Sequence, residues 1–138
     1  MPKKPKAIVL DSWAVIAYLE DEAAAEKVAD IMADAHDDGI PLFMTVVNAG
    51  EVWYIVARES SVPDADASIK QLRDLGVQFV DADWDLAKSA GYFKSRNKMS
   101  FADCFAAALA KQNKAQLATG DPEFKQVESE ISIHWLTQ

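Results

Sequence analysis

The segment AIVLDSWAVIAYL (residues 7–19) joins a short apolar run to a longer apolar stretch through a single aspartate. Residues 7–10 have the composition of a strand that is buried on both faces, and residues 13–19 are apolar with helical spacing. Asp11 stands at the end of the strand, where an uncompensated buried charge costs several kcal/mol. Asp11 therefore needs a partner, and this need marks it as a candidate functional residue.

The alternation of strand and helix continues along the whole chain. Short apolar runs predict further strands at 41–45, 77–80, 115–119 and 131–136. Helical patterns cover 22–35, 46–59, Pro63 to Gly76, 84–96, 101–112 and a short segment near Pro122. Alternating strands and helices imply parallel crossovers and helices on both faces of the sheet. We therefore expect residues 1–138 to form one α/β domain, a three-layer α/β/α arrangement with a central parallel sheet of four to five strands.

The composition narrows the class of protein. Half of the 138 residues are hydrophobic, which is enough for a core without added cross-links. Cys104 is the only cysteine, so a disulfide within the chain and a zinc–cysteine cluster are excluded. A nucleophilic role for Cys104 has no supporting residue pattern, and an alanine-rich helix is a natural place for a buried cysteine. The apolar run before Asp11 is too short for a signal peptide or a membrane span, so we expect a cytoplasmic protein with no membrane association.

The formal net charge of -8 limits the ways in which this chain can bind nucleic acid. Proteins that grip phosphates directly are usually basic, because neutralising phosphates releases counterions. An acidic chain therefore argues against broad, nonspecific binding. It does not argue against a nuclease whose acids hold metal ions, since the metal then supplies the positive charge.

Four acids fall where an α/β sheet binds ligands, at the carboxyl ends of its strands. Asp11 directly follows the first predicted strand, and Glu51 lies in the first turns of the helix after the second strand. Asp103 begins the helix that leads into the fourth strand, and Asp121 follows that strand. A helix that precedes a parallel strand runs antiparallel to it, so its beginning lies at the same edge. We therefore expect the four carboxylates to converge on one rim.

Three of these acids also have a purely structural interpretation. Ser100 and Asp103 fit a helix capping box, and Asp121 before a proline is a favourable N-cap. Glu51 could be an ordinary first-turn acid favoured by the helix dipole. Capping does not exclude a functional role, because a capping carboxylate retains a free oxygen.

A cluster of carboxylates has a direct chemical use. Carboxylates that lie close together repel one another, and a hard divalent cation such as Mg²⁺ or Mn²⁺ relieves that repulsion. The ion can orient a scissile phosphate and lower the pKa of an attacking water. The sequence leaves open whether one or two ions bind. Four polar residues fit around the acids as supporting or substrate-orienting groups, or simply as turn and first-turn polar residues: Ser12, Asn48, Ser100 and Thr119.

The four acidic segments together resemble a PIN-domain nuclease, and specifically the VapC-type toxins of toxin–antitoxin pairs. The resemblance covers about residues 7–137 and rests on the order of the segments VLDSWAVIAYL, TVVNAGEVWYIVARE, MSFADCFAAALA and LATGDPEF. It implies a Mg²⁺- or Mn²⁺-dependent endoribonuclease, often a homodimer, that cuts RNA and is inhibited by a cognate antitoxin. It also implies that Asp11, Glu51 and Asp103 are the main metal ligands. Asp121 would bind a second or water-bridged ion.

Two features depart from the pattern of that family. Trp13 after Ser12 is bulky, and the acidic surface offers few basic contacts for RNA. Candidate RNA contacts, which could equally be solvated helix-end residues, are Lys94, Arg96, Lys98 and Lys125.

Other α/β proteins with acids at strand ends fit less well. A signalling receiver domain would place a lysine after its last strand, which is missing here although Asp81 follows the third strand. A haloacid-dehalogenase-like phosphatase needs a second aspartate where Trp13 stands. A catalytically silent PIN-fold binding module would usually lack one of the acids, and all four are present. A PIN nuclease for RNA processing, without an antitoxin, remains an alternative.

Overall fold

The structure is a computed structural model that describes residues 4–137, so the first three residues and the last of the predicted domain lie outside it. Its strands are β1 (Ile8–Leu10), β2 (Leu42–Thr45), β3 (Val77–Val80), β4 (Gln116–Thr119) and β5 (Ser132–Trp135). Its α-helices are α1 (Ser12–Leu19), α2 (Ala25–Asp38), α3 (Val46–Glu59), α4 (Val62–Asp74), α5 (Trp84–Arg96) and α6 (Phe101–Gln112). A 3₁₀ helix spans Pro122–Val127.

The five strands form one parallel sheet in the order β3-β2-β1-β4-β5. The chain starts at the central strand β1, moves outward to β2 and β3, and then crosses back to add β4 and β5 on the other side of β1. The strand order therefore reverses between β1 and β4. In open α/β sheets, the crevice at this switch point is where ligands bind.

Two apolar cores sandwich the sheet and confirm the predicted three layers. Successive side chains of a strand point to opposite faces, so Val9 joins one core while Ile8 and Leu10 join the other. The core around Val9 is formed with α5, α6 and the 3₁₀ helix. The opposite core is formed mainly with α1, α2, α3 and α4.

The predicted elements all exist, and their ends shift by only a few residues. The largest shift is at α2, which runs from Ala25 to Asp38 rather than over residues 22–35, because the chain between α1 and α2 forms a turn in which the Glu22 carbonyl accepts a hydrogen bond from the Ala25 backbone N–H. Gly39, with φ of 69°, ends this helix, since a left-handed terminal residue strongly favours glycine. Within the described residues, no helix is both long and apolar enough to cross a membrane.

Candidate active site

Asp11 lies at the switch point, and its carboxylate has the partners that its burial requires. The side chain is fully buried. Its Oδ1 accepts a hydrogen bond from the Ala14 backbone N–H at 2.8 Å, which caps the start of α1. Its Oδ2 accepts a short hydrogen bond from the hydroxyl of Thr119, the last residue of β4. Asp11 therefore connects the ends of β1 and β4 and the beginning of α1.

Thr119 extends this connection to Asp121. The Thr119 Oγ1 accepts a hydrogen bond from the Asp121 backbone N–H at 3.1 Å. The Asp121 Oδ1 in turn accepts one from the Glu123 backbone N–H at 2.9 Å and so caps the 3₁₀ helix. The predicted cap at Asp121 is present, and it fixes the carboxylate beside the buried Asp11.

Asp103 reaches the same place from α6. Ser100 caps this helix, with its Oγ accepting a hydrogen bond from the Asp103 backbone N–H at 3.1 Å. One carboxylate oxygen from each of Asp103, Asp121 and Glu123 can be chosen so that the three lie within 4.8 Å of one another. Three oxygen ligands at this spacing match the needs of a single hard divalent cation.

The electrostatics of the cluster oppose ionisation of two of its acids. Burial raises the pKa of Asp11 to about 7, and the charges of Asp103 and Asp121 add to this effect. Burial also raises the pKa of Asp103 to about 7, with further contributions from the charges of Asp121, Glu51 and Glu123. These acids therefore act on one another through space, as convergence on one rim predicts.

A cleft of about 560 Å³ opens over the cluster. Asp11 lies beneath this cleft, whereas Glu51 and Asp103 line it. Among the described residues, the lining includes five carboxylates and no lysine, arginine or histidine. The lining residues are Ser12, Trp13, Ile16, Glu22, Glu51, Ile55, Ser100, Asp103, Asp121 and Glu123.

Asn48 is fully buried and joins three helix starts instead of lining the cleft. Its Oδ1 accepts a hydrogen bond from the Thr45 hydroxyl at 2.6 Å. Its Nδ2 donates to the Ser12 Oγ at 3.3 Å and to the Ala102 carbonyl at 3.1 Å. Thr45 caps α3, Ser12 begins α1 and Ala102 lies in the first turn of α6. The amide of Asn48 therefore fixes the relative position of the helices that present Glu51 and Asp103.

The structure adds two acids that the sequence reasoning did not select. Glu123 joins the three-oxygen group, and Glu22 lines the cleft. Glu123 could have been found, because it lies in the first turn of the helix after a strand, as Glu51 does. Glu22 lies in the turn between α1 and α2, where no strand end or helix start points to it.

The side chains of two predicted RNA contacts, Lys94 and Arg96, bind other groups of the same chain. The Lys94 Nζ donates a hydrogen bond to the Met99 carbonyl at 2.5 Å. Arg96 pairs with Glu130 at 3.2 Å and lies over the ring of Tyr92. Both side chains therefore brace the end of α5.

The other two predicted RNA contacts also lie outside the cleft. Lys98 bonds through its backbone N–H to Gln126, and Lys125 lines a separate cavity with Pro122. A contact between RNA and any of the four basic residues stays a prediction.

Comparison with known proteins gives a family and a fold. The family model described as "PIN domain" matches residues 8–130. No curated protein sequence matches the chain.

The fold is similar to that of several solved structures. VapC20 of Mycobacterium tuberculosis, described as a Sarcin-Ricin loop cleaving toxin, superposes with a TM-score of 0.70 at 17% identity, covering 88% of this chain and 95% of that one. DNA-bound VapBC of Salmonella typhimurium superposes with a TM-score of 0.73 at 12% identity, covering 95% of this chain and 98% of that one. FitAcB of Neisseria gonorrhoeae superposes with a TM-score of 0.64 at 19% identity, covering 94% of this chain and 97% of that one.

The first prediction concerns the amide of Asn48. The substitution Asn48→Asp preserves the shape of the side chain but removes both donated hydrogen bonds and leaves a buried charge facing the Ala102 carbonyl. We expect the free energy of unfolding, measured by urea titration, to fall by about 3 kcal/mol. Asn113→Asp, at an exposed helix end, is the matched control and should cost less than about 1 kcal/mol. Equal losses for the two variants would show that Asn48 has no special structural role.

The second prediction concerns the pH dependence of stability in the metal-free protein. The free carboxyl of an aspartate ionises near 3.8, whereas Asp11 in the folded chain ionises near 7. The penalty for burying its charge is therefore absent below pH 3.8, and it grows with pH until it is complete above pH 7. We expect Asp11→Asn, measured by urea unfolding in EDTA, to be more stable than the wild type by about 4 kcal/mol at pH 8, the free-energy equivalent of the pKa difference.

The same comparison near pH 4 supplies the control, because there the wild-type Asp11 is protonated in the folded chain. The advantage of Asp11→Asn should largely disappear. An advantage that is equal at pH 4 and pH 8 would mean that the charge of Asp11 does not oppose folding.

Proposed function

Because the chain belongs to the PIN domain family, we propose that it is a divalent-metal-dependent endoribonuclease and the toxin of a toxin–antitoxin pair. The observation that supports this most strongly is the meeting of carboxylates from Asp103, Asp121 and Glu123 near the switch point of the sheet, where the charges of Asp103 and Asp121 act on the buried Asp11. Glu51 faces the same cleft from α3. These acids come from distant parts of the sequence, so helix capping alone does not account for their convergence.

The residues of the cluster suit a hard cation. All the donors are carboxylate oxygens, with no thiol or imidazole among the cleft-lining residues that the structure describes. Such a donor set favours Mg²⁺ or Mn²⁺ over softer metals. The raised pKa values of Asp11 and Asp103 fit the same interpretation, because a bound cation favours the ionised form of both.

The proposed reaction is hydrolysis of an RNA phosphodiester. A water oxygen bonds to phosphorus and loses a proton, the bond from phosphorus to the leaving ribose oxygen breaks, and that oxygen takes up a proton, so that one water is consumed. The ion would supply the positive charge that polarises the phosphate and lowers the pKa of the attacking water. Asp103, Asp121 and Glu123 would hold it, in place of the set of Asp11, Glu51 and Asp103 that the family resemblance implies. Asp11 would hold Thr119 in place, and Thr119 would in turn position Asp121 through the Asp121 backbone N–H. Glu51 would orient water from the α3 side of the cleft.

The proposed protein partner is an antitoxin. A similar structure from Klebsiella pneumoniae is described as a toxin-antitoxin complex, and VapBC-5 of Mycobacterium tuberculosis is described as a member of the VapBC family of toxin-antitoxin systems. A homodimer and an RNA substrate belong to the same proposal. Exposed aromatic residues outside the cleft lining, among them Trp84 and Tyr92, provide apolar surface for contact with a protein partner.

The third prediction tests the nuclease activity. Purified protein with Mn²⁺ should cleave long single-stranded RNA, and EDTA should abolish the cleavage. Asp103→Asn and Glu123→Gln should each lower the rate by about 100-fold or more, because each removes an oxygen ligand. Asp34→Asn, an exposed acid on α2, is the matched control and should cleave like the wild type. Undiminished cleavage in EDTA would contradict the metal role.

The fourth prediction tests the toxin assignment. Induced expression of the wild type in a bacterial host without a partner should arrest growth, whereas Asp103→Asn at the same protein level should not. Immunoblots establish that the levels match. If the wild type cleaves RNA in vitro yet leaves growth unaffected, the nuclease proposal stands and the toxin proposal is wrong.

A further inference from the structure

We propose that Trp13 is a stacking platform for a nucleobase next to the scissile phosphate. This inference rests on the proposed ribonuclease function and adds the residue that contacts the base. It depends on three observations: the place of Trp13 in the cleft, its contact with Gly120, and the charge of the surrounding side chains.

Trp13 lies in the cleft because of its place in the chain. It is the second residue of α1, two positions after the buried Asp11. Its side chain is partly exposed, and it lines the same cleft as Glu51 and Asp103. The indole therefore stands beside the carboxylates that would hold the metal and the phosphate.

The contact with Gly120 shows how the ring is positioned. Gly120 lies between Thr119 and Asp121, and a Cβ atom built there would fall within 3.0 Å of three atoms of the six-membered ring of Trp13. The φ of Gly120 is outside the left-handed region, so its backbone does not itself require a glycine. The ring thus packs directly on the backbone between two residues of the site, which ties its position to the acidic cluster.

The negative charge of the cleft limits which of its side chains can attract RNA. The described lining residues include five carboxylates and no basic side chain, so apart from a bound cation the cleft repels phosphate. Apart from the hydroxyls of Ser12 and Ser100, the lining offers a nucleotide apolar surface, which Trp13, Ile16 and Ile55 supply. Of these three, only the indole offers an aromatic face to a base.

Stacking on an aromatic side chain implies a particular kind of RNA. A base within a duplex has both faces covered, so only bases in single strands, loops or bulges can stack on Trp13. Stacking contributes to the affinity for any base and selects little by sequence. Selection of sequence would then depend on other contacts, and the platform would select for unpaired structure.

The competing explanation is that Trp13 only fills space between α1 and the loop after β4. Under that explanation its aromatic face makes no difference to RNA. The two explanations differ in one measurable quantity, the gain in affinity that a nucleobase adds to a bare sugar–phosphate backbone.

The experiment compares two fluorescein-labelled probes, a 12-nucleotide oligouridylate and an abasic 12-mer with the same backbone charge. Binding is measured by fluorescence anisotropy in Ca²⁺, and cleavage of long single-stranded RNA is measured separately in Mn²⁺. We expect the wild type to bind the oligouridylate about ten-fold more tightly than the abasic probe. Trp13→Phe should keep this preference. Trp13→Leu should lose it, with its affinity for the abasic probe unchanged.

Two further variants guard against a simple folding defect. Gly120→Ala leaves Trp13 in the chain but forces its ring to move, so the preference should fall as in Trp13→Leu. Trp84→Leu changes a tryptophan that is 73% exposed and outside the cleft lining, so the preference should stay that of the wild type. Thermal unfolding of each variant shows that it is folded.

The outcomes separate the two proposals. The stacking proposal is wrong if the wild type cleaves RNA but shows no preference for the base-bearing probe, or if Trp13→Leu keeps the preference. In either case the nuclease proposal is unaffected. If the wild type neither cleaves RNA nor binds either probe, the nuclease proposal fails and the platform fails with it.

Discussion

The hydrogen bond between the Thr119 hydroxyl and the Asp11 carboxylate is the interaction on which the site depends. It joins the ends of β1 and β4, the two strands between which the strand order reverses. Asp11 also caps α1, and Thr119 receives the backbone N–H of Asp121. One buried carboxylate therefore fixes the start of one helix and the loop that leads to another. Without it, the crevice at the switch point would have no fixed floor.

The buried acids that could serve the proposed function also lower the stability of the fold. Asp11 and Asp103 both have a raised pKa, because they are buried or partly buried among other acids. In the metal-free protein at neutral pH, ionising them costs free energy. The divalent cation of the proposed function would offset that cost if it binds only the folded chain, and its binding would then be coupled to folding. The fold tolerates the repulsion because two well-packed cores on either side of the sheet supply most of the stabilisation.

The strand and helix pattern was sufficient to predict the fold, and the strand-end rule indicated the edge of the sheet at which the candidate site lies. Asp11, Asp103 and Asp121 were predictable because each directly follows a strand or begins a helix at the carboxyl edge. Glu123 was missed because the reasoning stopped at the first acid after β4. The connection made by Asn48 was not predictable, since its partners Ser12 and Ala102 lie 36 and 54 residues away. Local spacing indicates which edge a residue reaches, but not which distant groups meet it there.

Trp13 shows how a departure from a family pattern acquires a physical meaning once the fold is known. In the sequence it is only a bulky residue after Ser12. In the structure its ring occupies the space that any side chain at position 120 would need, so the absence of a Cβ at Gly120 and the presence of the indole depend on each other. The pair places an aromatic surface inside a cleft whose charged lining groups, among the described residues, are all acidic. For the RNA substrate proposed above, such a cleft would provide charge attraction only through a bound cation, and contact between the indole and a base would add to the affinity.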